Sequence, residues 1–138
     1  MLIQEAMIER VRELCRTDER VTGAFRYGSF TLGEGDAYSD IEFYIYMDEA
    51  DLAALDRRAW IEQVRPVALY FVNELGTGTA IFDNLVRGEF HFAPTGEMQS
   101  VRAAKASGGR FADPEQMLVA DPTGQLREHL RFIAGPGP

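Results

Sequence analysis

Cysteine is nearly missing from this 138-residue chain. Cys15 stands alone, which excludes an internal disulfide and any thiolate-based metal centre. Set among helix-forming residues, it reads as a buried structural thiol. Lysine is equally scarce: Lys105 is the only one, and the net charge is −8. So acidic a chain has no basic stripe with which to follow a phosphate backbone, which argues against nucleic acid as the main partner. No apolar run is long enough to span a membrane, so no membrane partner is expected. The chain also lacks a basic-then-apolar start with a cleavage site, and a cytoplasmic address is the expectation. Internal repeats are absent.

What is present suffices for one core: 46% of the residues are hydrophobic. Residues 1–134 are expected to form a single domain, and residues 135–138 (Gly-Pro-Gly-Pro) have the composition of a linker. The organising stretch is 27–47, Y-G-S-F-T-L-G-E-G-D-A-Y-S-D-I-E-F-Y-I-Y-M. It leaves a short apolar strand, 21–27, turns through Gly28-Ser29, and enters a second strand at Ser39-Asp40. There Asp40, Glu42, Tyr44 and Tyr46 alternate with Ile41, Phe43, Ile45 and Met47, so the two carboxylates should project side by side from one face. Carboxylates that close repel each other unless neutralised, and a divalent cation does so best. Gly28 would let the backbone approach a phosphate, with the Ser29 hydroxyl and nearby N–H groups binding its oxygens. Alone, Gly-Ser is an ordinary turn; followed by Asp-x-Glu on the adjoining strand it reads as part of a site. Ser29 is not framed as G-x-S-x-G, so it is not read as a nucleophile.

Elsewhere, Ile3, Met7, Val11 and Leu14 recur at helical spacing. A helix is expected over 51–64, with Leu52, Leu55, Ala59, Trp60 and Val64 as its buried stripe. Residues 67–74 and 79–82 read as a hairpin about Gly76-Thr77-Gly78. In 86–92, Arg87, Glu89 and His91 share one strand face, and Val86, Gly88, Phe90 and Phe92 the other. That face is either an exposed edge carrying surface charge or the place where Glu89 joins Asp40 and Glu42 in a three-carboxylate metal site. His91 reads as a packed or surface histidine, since a hard cation prefers oxygen donors. Helices are expected over 95–106, 113–119 and from 121 onward, with Leu126, Leu130 and Ile133 facing inward. Arg102, Lys105 and Arg110 are either solvated charges or contacts to a triphosphate tail.

These motifs together resemble a known family. Tyr27-Gly28-Ser29-Phe30-Thr31, Tyr38-Ser39-Asp40-Ile41-Glu42-Phe43 and Arg87-Gly88-Glu89-Phe90-His91-Phe92 are similar to the amino-terminal domain of lincosamide nucleotidyltransferases, in the DNA polymerase β-like superfamily. The likeness runs out to Gln125-Leu126. It implies an α+β nucleotidyltransferase fold, a mixed sheet of about five strands flanked by helices. It implies ATP and Mg²⁺ as co-substrates and transfer of AMP to a hydroxyl of a lincosamide-type antibiotic, the chemistry of a resistance enzyme. By that likeness Gly28 and Ser29 match the nucleotide-phosphate motif, Asp40 and Glu42 the metal ligands, and Glu89 the third carboxylate and the base. Family members continue into a helical carboxy-terminal domain that helps form the acceptor pocket and the dimer; this sequence ends at the Gly-Pro run, and a homodimer is expected. The acidic charge suits a cationic acceptor and a nucleotide arriving with Mg²⁺. Two other readings remain open: a minimal nucleotidyltransferase that modifies a partner protein, as in toxin–antitoxin pairs, and a nucleotide-binding module whose catalysis has lapsed.

Overall fold

A computed structural model of the chain describes residues 2–28, 35–74, 76–102 and 113–134, with side chains to 132. Helix α1 (Ile3–Thr17) leads into β1 (Val21–Tyr27) and, after the loop, β2 (Ile41–Met47). Two short helices follow, α2 (Glu49–Ala54) and α3 (Arg57–Glu62), then β3 (Val67–Val72), β4 (Gly78–Phe82) and β5 (Arg87–Pro94). A 3-10 segment (Thr95–Arg102), α4 (Pro114–Met117), β6 (Leu118–Ala120) and α5 (Gln125–Ala134) complete the fold. The strands form one mixed six-stranded sheet, ordered β3-β4-β5-β2-β1-β6. Among the described residues only β2 and β5 pair in parallel. This is an α+β architecture with a helix-flanked sheet, consistent with the nucleotidyltransferase fold. It has one strand more than the roughly five expected: 113–119 reads as a helix, yet the helix stops at Met117 and Leu118–Ala120 pairs with β1.

The alternation in β2 explains the core. Ile41, Phe43, Ile45 and Met47 are each buried to 1% exposure or less, and with Phe90, Phe92, Ala80 and Phe82 they pack under α1 and α3. Burying one such side chain is worth about 1.5–3 kcal/mol. The described residues cover only part of the opposite face. There Met98, Leu126 and Leu130 close over Phe25 and Tyr46. Tyr27, Tyr44 and His91, at the margin of this roof, are half-buried.

Several local expectations change. The helix expected over 51–64 is broken at Leu55, because Asp56 caps α3 by accepting the Ala59 N–H (3.1 Å). Residues 95–102 wind as a 3-10 helix; 103–106 lie outside the described residues, as do Ser29, Lys105, Arg110 and the 135–138 end. In the strand expected over 21–27, Val21, Gly23, Phe25 and Tyr27 would share a face by alternation, but a bulge between Val21 and Gly23 turns Val21 into the main core, away from Phe25. Cys15 is buried as expected, and burial pushes its thiol up to about 12. No helix among the described residues is long and apolar enough to cross a membrane.

Candidate active site

The parallel register of β2 and β5 builds the site. Glu42 lies directly opposite Glu89, Tyr44 opposite His91, and Ile41 opposite Gly88. Because side chains alternate, Glu42, Tyr44, Glu89 and His91 rise from the same face, the one that the roof leaves partly open. On the other side of β2, Tyr27 pairs with Glu42 and Phe25 with Tyr44. Asp40 precedes β2 and belongs to the same cluster: Arg87 reaches its Oδ2 at 3.7 Å, and its charge is felt at Glu42. The three acids singled out from the sequence thus lie on one side of the sheet.

Electrostatics mark Glu42. Burial first, then the Glu89 and Asp40 charges, push its carboxyl up from 4.5 to about 7. Among the described residues no cation pairs with it. Arg87 instead spans Asp40 and Glu89, the latter at 3.4 Å. Tyr27 is raised strongly, by burial and then by Glu42. His91 is lowered by burial, with Glu89 acting in the opposite direction, so its ring is held toward the neutral form. A stack of rings orients that imidazole: Phe25 lies on Tyr44 at 5.0 Å, and Tyr44 on His91 at 4.2 Å and 9°. The Thr77 hydroxyl lies 3.3 Å from His91 Nδ1.

Gly28 closes β1 with φ +86°, a conformation that disfavours any Cβ. A Cβ there would fall 1.5 Å from Glu42 Oε2. The missing side chain is therefore what allows the strand end to lie against this carboxylate. Ser29 follows outside the described residues.

No family model matches the chain, and no curated protein matches it either. What the site can do rests on its own chemistry. Three carboxylates offer hard oxygen donors, which suit Mg²⁺ or Mn²⁺ in chemical type. Among the described residues no group of three or more His, Cys, Asp or Glu side chains is drawn close enough to hold a metal ion. Glu42 and Glu89 face each other, while Asp40 is engaged by Arg87. A cleft of about 580 Å³ lined by Arg12, Arg16, Asp121 and Arg127 among others lies beside β6 and shares no residue with the acidic face. Arg102 donates to His129 Nδ1 (2.7 Å) and lies over the Phe132 ring, so α5 engages it.

One structural partner of the site lies in α1. Gln4, not Ile3, continues the buried stripe of α1: Gln4 is 1% exposed and Ile3 49%. The spacing Gln4, Met7, Ile8, Val11 is the i, i+3, i+4, i+7 pattern, and its first position is polar for a reason. Its Nε2 donates toward three carbonyls of the loop entering β2, Asp36 (3.2 Å), Ala37 (3.0 Å) and Ser39 (3.3 Å). Within that loop Asp36 accepts from the Tyr38 N–H (2.9 Å) and the Ser39 hydroxyl (3.1 Å). Asp40 follows at once. Replacing Gln4 by Met keeps the volume and removes the donor, leaving part-buried carbonyls unpaired at a cost of about 1–3 kcal/mol. The expected result is faster hydrogen exchange at the Ser39 amide, about tenfold or more, in metal-free protein. Unchanged exchange there would show that the loop holds itself.

Proposed function

We propose that the protein is a Mg²⁺-dependent nucleotidyltransferase that moves AMP from ATP to a hydroxyl of a lincosamide-type small molecule. The observation that carries this reading is the cross-strand pair Glu42–Glu89, backed by Gly28. Two acids forced together on an open sheet face, one with its carboxyl raised to about 7, form an arrangement that costs stability unless a cation neutralises it. The resemblance of the Gly-Ser, Asp-x-Glu and R-G-E-F-H-F motifs supports the choice of reaction and acceptor.

Asp40, Glu42 and Glu89 would hold Mg²⁺, which when bound would neutralise charge on the phosphoryl oxygens and the departing pyrophosphate. The chain's own residues do the rest. Glu89 takes the proton of the attacking hydroxyl, a role worth on the order of 10²–10⁴-fold. Its position directly opposite Glu42 across the parallel strands keeps it beside the cation that the three acids would hold. Gly28 keeps the strand end narrow beside Glu42, so a phosphate can approach the backbone. The half-buried margin at Tyr27 and Tyr44 excludes water from one flank.

The test is incubation with Mg·ATP and lincomycin, read by mass spectrometry for one added AMP. Asp40→Ala should abolish the product, and Glu89→Gln should lower kcat by about 10²–10⁴-fold, both with melting curves close to the parent. Near-full activity in Asp40→Ala would end the assignment. AMP found on a partner protein, with the antibiotic unmodified, would move the acceptor from a small molecule to a protein.

A further inference from the structure

We propose that Arg87 is the built-in counter-ion of the acidic face: in the metal-free protein its guanidinium holds Asp40 and Glu89, and a divalent cation must displace it to gain them. This rests on the cation-site reading above and goes beyond it by naming the group with which the cation competes.

The sheet register makes the arrangement specific. Since Ile41 lies opposite Gly88, Asp40 and Arg87 are level with each other one step earlier, and Glu42 and Glu89 one step later. The upper pair is therefore acid against base, and the lower pair acid against acid. One guanidinium serves two carboxylates: Nε stands 3.7 Å from Asp40 Oδ2, and Nη2 donates to Glu89 Oε1 at 3.4 Å. Arginine suits this bridging role better than lysine, because its planar fork presents several donors at fixed angles. Glu42 is left outside the bridge, facing Glu89 without a cation of its own among the described residues. So the metal-free face is neutralised at one end only. A doubly charged cation drawn to the unneutralised end meets Glu42 directly, but must compete with Arg87 for the other two acids.

The pairs are partly exposed, with Arg87 at 49%, Asp40 at 37% and Glu89 at 25%. Exposed pairs are individually weak, so the competition should be modest. Its sign is the informative part. A residue that merely stabilised the strand would leave cation affinity unchanged when replaced.

The experiment measures binding of Mn²⁺ alone, from the free-ion paramagnetic resonance signal, to the whole chain without nucleotide. Arg87→Gln should bind Mn²⁺ about 2- to 10-fold more tightly than the parent. Arg58→Gln removes the same charge from an exposed pair with Glu62 and should bind as the parent does. Equal or weaker binding by Arg87→Gln overturns the inference, and so does an equal gain in Arg58→Gln, which would reduce the effect to net charge. If none of the three proteins binds Mn²⁺ saturably, the cation site itself is lost, and this inference with it. The Arg87 side chain is half exposed at the start of β5, so the variant folds, and a melting curve verifies it.

Discussion

Replacing Glu42 by Gln should stabilise the metal-free protein at pH 8 while abolishing nucleotidyl transfer. The carboxyl titrates near 7 in the fold against 4.5 ordinarily, raised by burial and by Glu89 and Asp40. Between those values the folded chain binds more protons than the unfolded one. Stability therefore falls as pH rises from about 4.5 to 7, and the cost is complete above that range. Unscreened, the shift would correspond to about 3 kcal/mol; solvent access to a half-buried group cuts this to about 1–2 kcal/mol. Gln has the same shape and carries no charge, so the variant should melt about 3–8 °C higher at pH 8. At pH 4 the two proteins should melt together, since both side chains are then neutral. A lower melting temperature for Glu42→Gln at pH 8 would mean that the ionised carboxylate has a partner that the register does not provide. Gain of stability with loss of transfer is the expected mark of a group kept for chemistry.

Gly28→Ala should have the opposite effect on stability. Its φ of +86° disfavours any Cβ, and the nearest atom, Glu42 Oε2, would be only 1.5 Å away. Either the strand end or the carboxylate must move. Backbone strain and displacement together are expected to cost about 2–4 kcal/mol. Transfer should fall at least about 100-fold, because the carboxylate that moves is the one facing Glu89. The decisive comparison is a double-mutant cycle. In a Glu42→Ala background the obstruction is gone, and Gly28→Ala should then cost only the backbone part, about 1 kcal/mol. If the two substitutions prove additive, the glycine serves the turn alone.

Local periodicity carried much of the reading, and particular residues show where it stopped. Phe43 against Glu42, and Phe90 against Glu89, are separated by period two, which holds wherever a strand is half-buried. Leu126 and Leu130 follow from helical spacing in the same way, and both are fully buried. Gln4 was within reach of the same rule, since it continues the stripe of Met7 and Val11; a polar side chain there signals a partner rather than a boundary. The short strand Leu118–Ala120 was not legible, because three apolar residues after a helical turn look alike in either state until a neighbour offers a free edge. The break at Leu55-Asp56 was missed because a helix stripe continues through Trp60, although Asp56 is a good cap.

Sequence alone determined which side chains share a face: Asp40 with Glu42, and Arg87 with Glu89 and His91. Alternation along a strand is a property of the backbone and needs no partner. Only the tertiary structure decided that Glu42 meets Glu89, that Arg87 spans Asp40 and Glu89, and that Glu42 fills the space beside Gly28. Those outcomes depend on strand order and on a parallel register between segments more than 40 positions apart. Register is chosen by how Phe43 packs on Phe90 in the core beneath, and a slip of one residue would have turned Glu89 to the other side of the sheet.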